Sequence, residues 1–303
     1  MASKQSEDLK ALFRRFTAAI SENPQMSLED MRLMLEHLAD VTGEPGAVDY
    51  IEVDAGGVPA MWAAPKQAAK DRVLLCLHGG GYVAGSMYSH RKMYGHFAKA
   101  IGCRALILHY RRAPESIHPG PVNDAVTAYR WLLGQGIQPK HVAVTGDSAG
   151  GGLSVTTVLH ARNQGLPLPA AIMPLSPWVD TEGTGATFET NRDKDLIVSR
   201  DMLGMMAQLF LGEAGDKQDP LANPLRADLH GLPPIYIQVG QDETLLDDSR
   251  RLAEAARAAG VEVRLDTFPE MQHVFHVLAG NAPEADDAIR KLAEWVRPKL
   301  GLA

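Results

Sequence analysis

Gly146-Asp147-Ser148-Ala149-Gly150 sets a serine between glycines, directly after the β-rich run His141 to Thr145 and directly before a helix-forming stretch. A serine on a tight strand-to-helix turn projects its hydroxyl above the sheet, and glycine flanks keep side chains out of the crowded turn. Such a hydroxyl is placed to act as a nucleophile. The pattern alone also fits an ordinary serine in a glycine-rich turn, so it needs companions. His78-Gly79-Gly80-Gly81 follows the apolar run Val73 to Leu77. Successive glycines let backbone N–H groups turn toward one point, which stabilises the oxygen of a carbonyl under attack. A further N–H is expected from Ala149, the residue after the serine. A phosphate-binding loop is the rival assignment, but no Lys-Ser/Thr follows the glycines and the spacing fits neither nucleotide fingerprint. The chemistry indicated is acyl transfer through a serine.

A hydroxyl of ordinary acidity is a poor nucleophile, so a general base is required, and the base needs a partner to hold its tautomer. The expected chain order is serine, acid, histidine. His273 lies just beyond the last β-rich run, in Met271-Gln272-His273-Val274-Phe275-His276, and is chosen over its neighbour His276, which is assigned to a helix-side or solvent-facing position. His78 is expected to orient the glycine loop by hydrogen bonding, and His109, His141, His160 and His230 to serve structure or surface. The run Ile235 to Val239 ends in Gly240-Gln241-Asp242-Glu243. Asp242 is nearest the carboxyl end of its strand, where sites in open α/β sheets collect, and is the chosen acid; Glu243 stays as the alternative. Asp247 and Asp248 suit the N-terminal turn of the helix that follows. His273 and His276 have no nearby cysteine or acidic cluster to complete a coordination set, so no metal and no cofactor is expected.

These residues must be positioned by a scaffold, and the sequence outlines one. Short β-rich runs recur at Tyr50 to Val53, Val58 to Ala63, Arg72 to Leu77, Ala105 to His109, His141 to Thr145, Ala170 to Pro174, Ile235 to Val239 and Val261 to Phe268. Helical candidates fall at Arg91 to Ala100, Val122 to Leu133, Ala149 to Gln164, Asp247 to Ala259 and Ala285 to Lys299. Such alternation predicts an α/β fold, a mostly parallel sheet with helices on both faces, its first two strands pairing as an antiparallel edge. Two amphipathic helices precede it: Leu9, Leu12, Phe13, Phe16 and Ile20 mark the first, and Met31, Met34, Leu35 and Leu38, after Ser27 and Asp30 at a capping-box spacing, mark the second. Residues 183–225 interrupt the rhythm with one helical stripe of Leu203, Met206, Leu209 and Phe210. The expected division is therefore N-terminal cap helices over 1–45, a catalytic domain over 46–182 and 226–303, and a cap insertion over 183–225.

The 303 residues suffice for one or two domains with a full core. Their formal charge of -7, from 37 acidic against 30 basic residues, supplies no electropositive footprint for nucleic acid. No stretch reaches the ~20 apolar residues of a membrane span, and the charged opening MASKQSEDLK lacks a signal peptide's apolar run, so a soluble, cytoplasmic protein is expected. Cys76 and Cys103 are expected as buried thiols.

Together, His78-Gly79-Gly80-Gly81, Tyr110-Arg111-Arg112-Ala113-Pro114-Glu115, Gly146-Asp147-Ser148-Ala149-Gly150-Gly151, Asp242 and His273 resemble the hormone-sensitive-lipase-like family of α/β-hydrolase esterases, over roughly residues 48–300. The resemblance implies an eight-stranded sheet, a helical cap, a Ser-Asp-His triad of Ser148, Asp242 and His273, and oxyanion donors at Gly80, Gly81 and Ala149. It implies hydrolysis of a small-molecule ester of short- to medium-chain acyl groups, and a homodimer through the final strand. Two departures stand out: Arg112 replaces a usual apolar residue, and Glu243-Thr244-Leu245-Leu246 replaces the common Pro-Leu after Asp242. A lactone hydrolase using the same triad, and a non-catalytic ligand receptor on the same scaffold, are the alternatives. Met31, Met34, Met205, Met206, Leu209 and Phe210 are candidates to line an adaptable apolar pocket, with Trp178 walling its acyl side.

Overall fold

The computed structural model describes residues 2–303. The β-rich runs form β1 (Val48–Asp54), β2 (Pro59–Pro65), β3 (Ala69–Leu77), β4 (Cys103–Leu108), β5 (Val142–Asp147), β6 (Ala171–Leu175), β7 (Ile235–Gly240) and β8 (Val263–Phe268). They make a single eight-stranded sheet in the order β1-β2-β4-β3-β5-β6-β7-β8. Strand β2 is antiparallel to both β1 and β4, and the remaining pairings are parallel. The fold is the expected α/β-hydrolase architecture. Strands β5, β6 and β7 are buried along their whole length, as continuous apolar strands covered on both faces must be. Edge strand β1 is only partly covered.

The helices are α1 (Glu7–Glu22), α2 (Leu28–Glu36), α3 (Met87–Ile101), α4 (Gly120–Gly134), α5 (Ala149–Asn163), α6 (Thr187–Thr190), α7 (Arg200–Leu211), α8 (Leu246–Ala258) and α9 (Pro283–Val296). One core joins α1, α3 and α9 to the sheet through residues such as Leu12, Phe97 and Leu292. The other joins α4, α5, α7 and α8 through Val122, Leu153, Phe210 and Leu252. Helix α3 starts four residues before the expected Arg91 because Ser86 and Ser89 form a reciprocal capping box. Ser27 caps α2 by accepting from the Asp30 N–H at 3.1 Å. Cys76 and Cys103 are free and buried, and burial pushes both thiols up, that of Cys103 to about 12.

Helix α2 is pinned over the loop after β3. Arg32 on α2 forms two 2.7 Å bonds with the Glu115 carboxylate and also donates to Val83 O at 2.7 Å and Ala113 O at 2.9 Å. The Ser86 hydroxyl donates to Glu36 Oε2 at 2.8 Å. Arg112 joins this layer by donating to Gly85 O at 2.8 Å. Four carboxyl-terminal strand ends thus present the loops of interest beneath α1, α2 and α7: β3 leads to Gly79–Gly81, β5 to Ser148, β7 to Asp242 and Glu243, and β8 to His273. Adjacent parallel pairing of β3 with β5, Leu77 opposite Gly146, brings the first two side by side. Among the described residues no helix is long and apolar enough to cross a membrane.

Candidate active site

Ser148 stands between β5 and α5 with φ 55° and ψ −121°, a backbone conformation costly for any non-glycine residue. The turn is held because Ser148 N–H donates to Leu175 O at 2.9 Å, while its carbonyl accepts from Gly151 N–H and Trp178 N–H, each at 2.9 Å. Gly150 must be glycine, since a Cβ there would stand 2.0 Å from Leu77 O. The Ser148 Oγ has no hydrogen-bond partner among the described residues and opens into a cavity that His273 also lines.

His273 is 7% exposed, and its Nδ1 lies 2.8 Å from Glu243 Oε2. The carboxylate on the histidine is therefore Glu243, and the expectation of Asp242 is corrected. Chain reach explains the shift. After β7 the backbone turns back on the β8 loop, Gln241 N–H donating to Phe268 O and Asp242 N–H to Met271 O. This leaves the Asp242 side chain partly exposed with no hydrogen bond, while Glu243, one residue on and one methylene longer, is fully buried. Glu243 Oε1 accepts from Ser176 Oγ at 2.7 Å and Gly240 N–H at 2.5 Å. Ser176 Oγ also accepts from Val274 N–H at 3.1 Å, so one hydroxyl braces the acid turn and the histidine turn together. Ser176 and Val274 both hold positive φ, 44° and 51°, strain that this network sustains.

Burial disfavours the charged form of His273, but the Glu243 hydrogen bond and charge, reinforced by Asp195 and Asp147, outweigh it and hold its pKa above the ordinary histidine value. Burial pushes the Glu243 carboxyl up, against the pull of His273 and Ser176. Of the two positions expected for His276, helix-side or solvent-facing, it takes the first, its ring 6.2 Å from Phe97 on α3. It is fully buried with Nε2 3.0 Å from Gln238 Oε1, and burial drives its pKa down to about 3.

In the glycine loop, Gly80 and Gly81 have φ 111° and 63°, and neither N–H finds an acceptor among the described residues. His78 holds the loop as expected, its Nδ1 2.8 Å from Gly79 O and its ring stacked 4.1 Å from Tyr110. Beneath lies a buried pair absent from the sequence-based expectations: His90 Nε2 is 3.1 Å from Asp147 Oδ2, and Tyr94 OH donates to Asp147 Oδ1 at 2.7 Å. Burial opposes charge on both members. Asp147 nevertheless raises the His90 pKa, and His90 and Tyr94 lower that of Asp147.

The cavity above Ser148 has a volume of about 420 Å³. Helix α1 contributes Phe13 and Phe16, α2 Met31 and Met34, and α7 Met205 and Met206. The two α7 methionines line this cavity, and Met206 fills the space that a side chain at Gly81 would need, its Sδ standing 2.1 Å from a Cβ built there. Trp178, Leu209 and Phe210 do not line the cavity. Phe210 is fully buried and stacks on Tyr82 with centroids 3.8 Å apart, Trp178 is 3% exposed against the same tyrosine, and Leu209 packs on that core. A hollow of about 460 Å³ between α3 and α9, edged by Lys99, Arg290 and Arg297, contains no nucleophile of this kind. Among the described residues no group of histidine, cysteine, aspartate and glutamate could hold a metal ion.

A profile of the family described as alpha/beta hydrolase fold matches residues 74–277. Relatives include an acetyl-hydrolase of Streptomyces hygroscopicus, 41% identical over 90% of this chain and 91% of that one. An esterase of Acinetobacter venetianus is 32% identical over 76% of each chain. Among solved structures, an esterase from the bacterial hormone-sensitive lipase family matches with TM-score 0.95 and 43% identity, covering 99% of this chain and 100% of that one. EstE5, from a crystal soaked with p-nitrophenyl butyrate, matches with TM-score 0.92 and 38% identity over 99% and 100%. The sheet, the serine elbow and these likenesses define an α/β-hydrolase-fold enzyme. Within that class the chain belongs to the bacterial hormone-sensitive lipase family of esterases.

Proposed function

We propose that the protein is a serine carboxylester hydrolase for small esters of short- to medium-chain acyl groups, with Ser148 as nucleophile, His273 as base and Glu243 as the acid partner. The observation that carries this is the His273–Glu243 contact at 2.8 Å on a cavity that Ser148 shares. Ser148 Oγ attacks the ester carbonyl carbon while His273 Nε2 takes the hydroxyl proton, and Nδ1–H donates to Glu243. Nucleophile–base bonds of this kind commonly tighten only with substrate in place. The carbonyl oxygen, now carrying the negative charge, is received by the N–H groups of Gly80, Gly81 and Ala149. Collapse breaks the ester C–O bond, His273 protonates the departing alcohol, and water repeats the sequence to free the acid and Ser148.

The apolar lining and a volume within the ~300–1,000 Å³ of small-molecule sites favour short to medium acyl chains. Each buried methylene is worth about 0.8 kcal/mol, roughly fourfold in kcat/KM. With p-nitrophenyl esters, kcat/KM is expected to climb from acetate through butyrate and to fall for dodecanoate, and a fluorophosphonate should label Ser148. A folded sample that neither turns over nor takes the label would favour a binding protein on the same scaffold. Catalysis requires neutral His273, whose pKa lies above the ordinary ~6.5. The rate should therefore fall as pH drops through neutrality, with its midpoint above ~6.5. A kcat/KM profile that stays level from pH 5 to 8 would remove His273 from the role.

A further inference from the structure

We infer that Asp195 is a positioning residue that ties the turn carrying Glu243 to the wall of the substrate cavity, an inference that rests on Glu243 being the acid of the triad. Asp195 belongs to the segment between α6 and α7 and is 8% exposed. Its carboxylate meets no cation within salt-bridge range among the described residues and is spent on three peptide N–H groups and the Thr244 hydroxyl, which donates to Oδ2 at 3.1 Å. Oδ2 accepts from the Thr244 N–H at 2.8 Å, next in sequence to Glu243. Oδ1 accepts from Ile197 N–H at 3.0 Å and Val198 N–H at 2.9 Å, two residues that line the cavity. One carboxylate therefore fastens the acid turn with one oxygen and the cavity wall with the other.

Neighbours repeat the connection. Asn191 Nδ2 donates to Gln241 O at 2.9 Å and Glu243 O at 2.8 Å, so the backbone on both sides of Asp242 hangs from the same segment. Gln272, adjacent to His273, accepts from Leu196 N–H at 3.0 Å and donates to Lys194 O at 2.9 Å. The segment 191–198 thus grips both the acid turn and the histidine turn, and continues directly into α7, whose Met202, Met205 and Met206 face the cavity. Removing Asp195 leaves the buried Val198 and Thr244 N–H groups and the half-buried Ile197 N–H without their acceptor, which the turn relieves by shifting. A displacement near 1 Å at a catalytic group costs on the order of a hundredfold in rate.

The test compares two butyrate esters. p-Nitrophenolate leaves without a proton, whereas ethoxide must receive one from His273, so misalignment of His273 by its acid partner weighs more heavily on ethyl butyrate. In the full chain, with active sites counted by end-point fluorophosphonate labelling, Asp195→Asn is expected to lower kcat/KM about tenfold for p-nitrophenyl butyrate and about a hundredfold for ethyl butyrate. Loss of fold alone would lower both by the same factor. Equal losses, or none, would overturn the inference. Should Asp195→Asn fail to fold, Asn191→Ala must show the same unequal loss, and an equal loss there overturns it too. Glu243→Gln run alongside separates the two levels. If it leaves both rates intact, the acid assignment falls and the inference with it. If it depresses the ethyl ester selectively while Asp195→Asn does not, the positioning role alone is lost.

Discussion

Ser148→Ala is expected to lower kcat by about 10⁴- to 10⁶-fold while the thermal midpoint hardly moves. The two halves of that outcome have separate causes. In the proposed mechanism the Oγ is the atom that bonds to the acyl carbon, so nothing in the remaining site replaces it. Binding in the cavity and the glycine-loop donors persist and leave the residual rate. Stability is preserved because the hydroxyl has no hydrogen-bond partner among the described residues, and the bonds holding the turn are made by the Ser148 backbone. Kinetics with p-nitrophenyl butyrate and a melting curve on the same sample check both halves. Retention of more than about a tenth of the activity would remove Ser148 from the role.

The second large effect separates two neighbouring carboxylates. Glu243→Gln is expected to cost about 10⁴-fold in kcat, because an amide nitrogen facing Nδ1 favours the wrong tautomer and cannot stabilise the imidazolium. Asp242→Asn, one residue earlier, should change kcat/KM by less than about threefold, since its side chain makes no hydrogen bond and is partly exposed. The contrast is measured at the rate plateau, above the pKa of His273. If Asp242→Asn were the damaging change and Glu243→Gln the silent one, the assignment drawn from the 2.8 Å contact would be reversed.

That contrast also marks where the sequence stopped being legible. Ser148, the glycine loop, His273 and the sheet announce themselves locally: a glycine-flanked serine between strand and helix, three glycines after an apolar run, a histidine after the last strand. Choosing between Asp242 and Glu243 depends on how the turn after β7 folds back against Met271 O, a contact between segments 29 residues apart in the chain. The rule that sites gather at strand ends cannot resolve a single residue. A cue did exist: Gly240 has to be small, since a Cβ there would stand 2.3 Å from Met271 O and 2.9 Å from Glu243 Oε1. Ser176 gives no signal at all, because its value lies in meeting Glu243 and Val274 at once. For the pocket, helical spacing found the stripes of α1, α2 and α7 but not their facing. Phe210, one turn from Met206 on the same helix, turns into the core against Tyr82, while Phe13 and Phe16 of the first stripe reach the cavity.

The cavity roof comes from two stretches of chain, α1 with α2 and α7, that lie outside the sheet. Everything assigned to bond-making hangs on strand ends. On the proposed function, the reaction and the choice of what undergoes it are written in different passages of the gene, free to drift at different speeds. Exchanging the cavity-facing residues of the first two helices for those of a relative is then expected to change the guest list without rewriting the chemistry, provided Arg32 and Glu36 on α2 keep their hold on the loop after β3. Asp195 sets the exception, for there the two passages are stitched together.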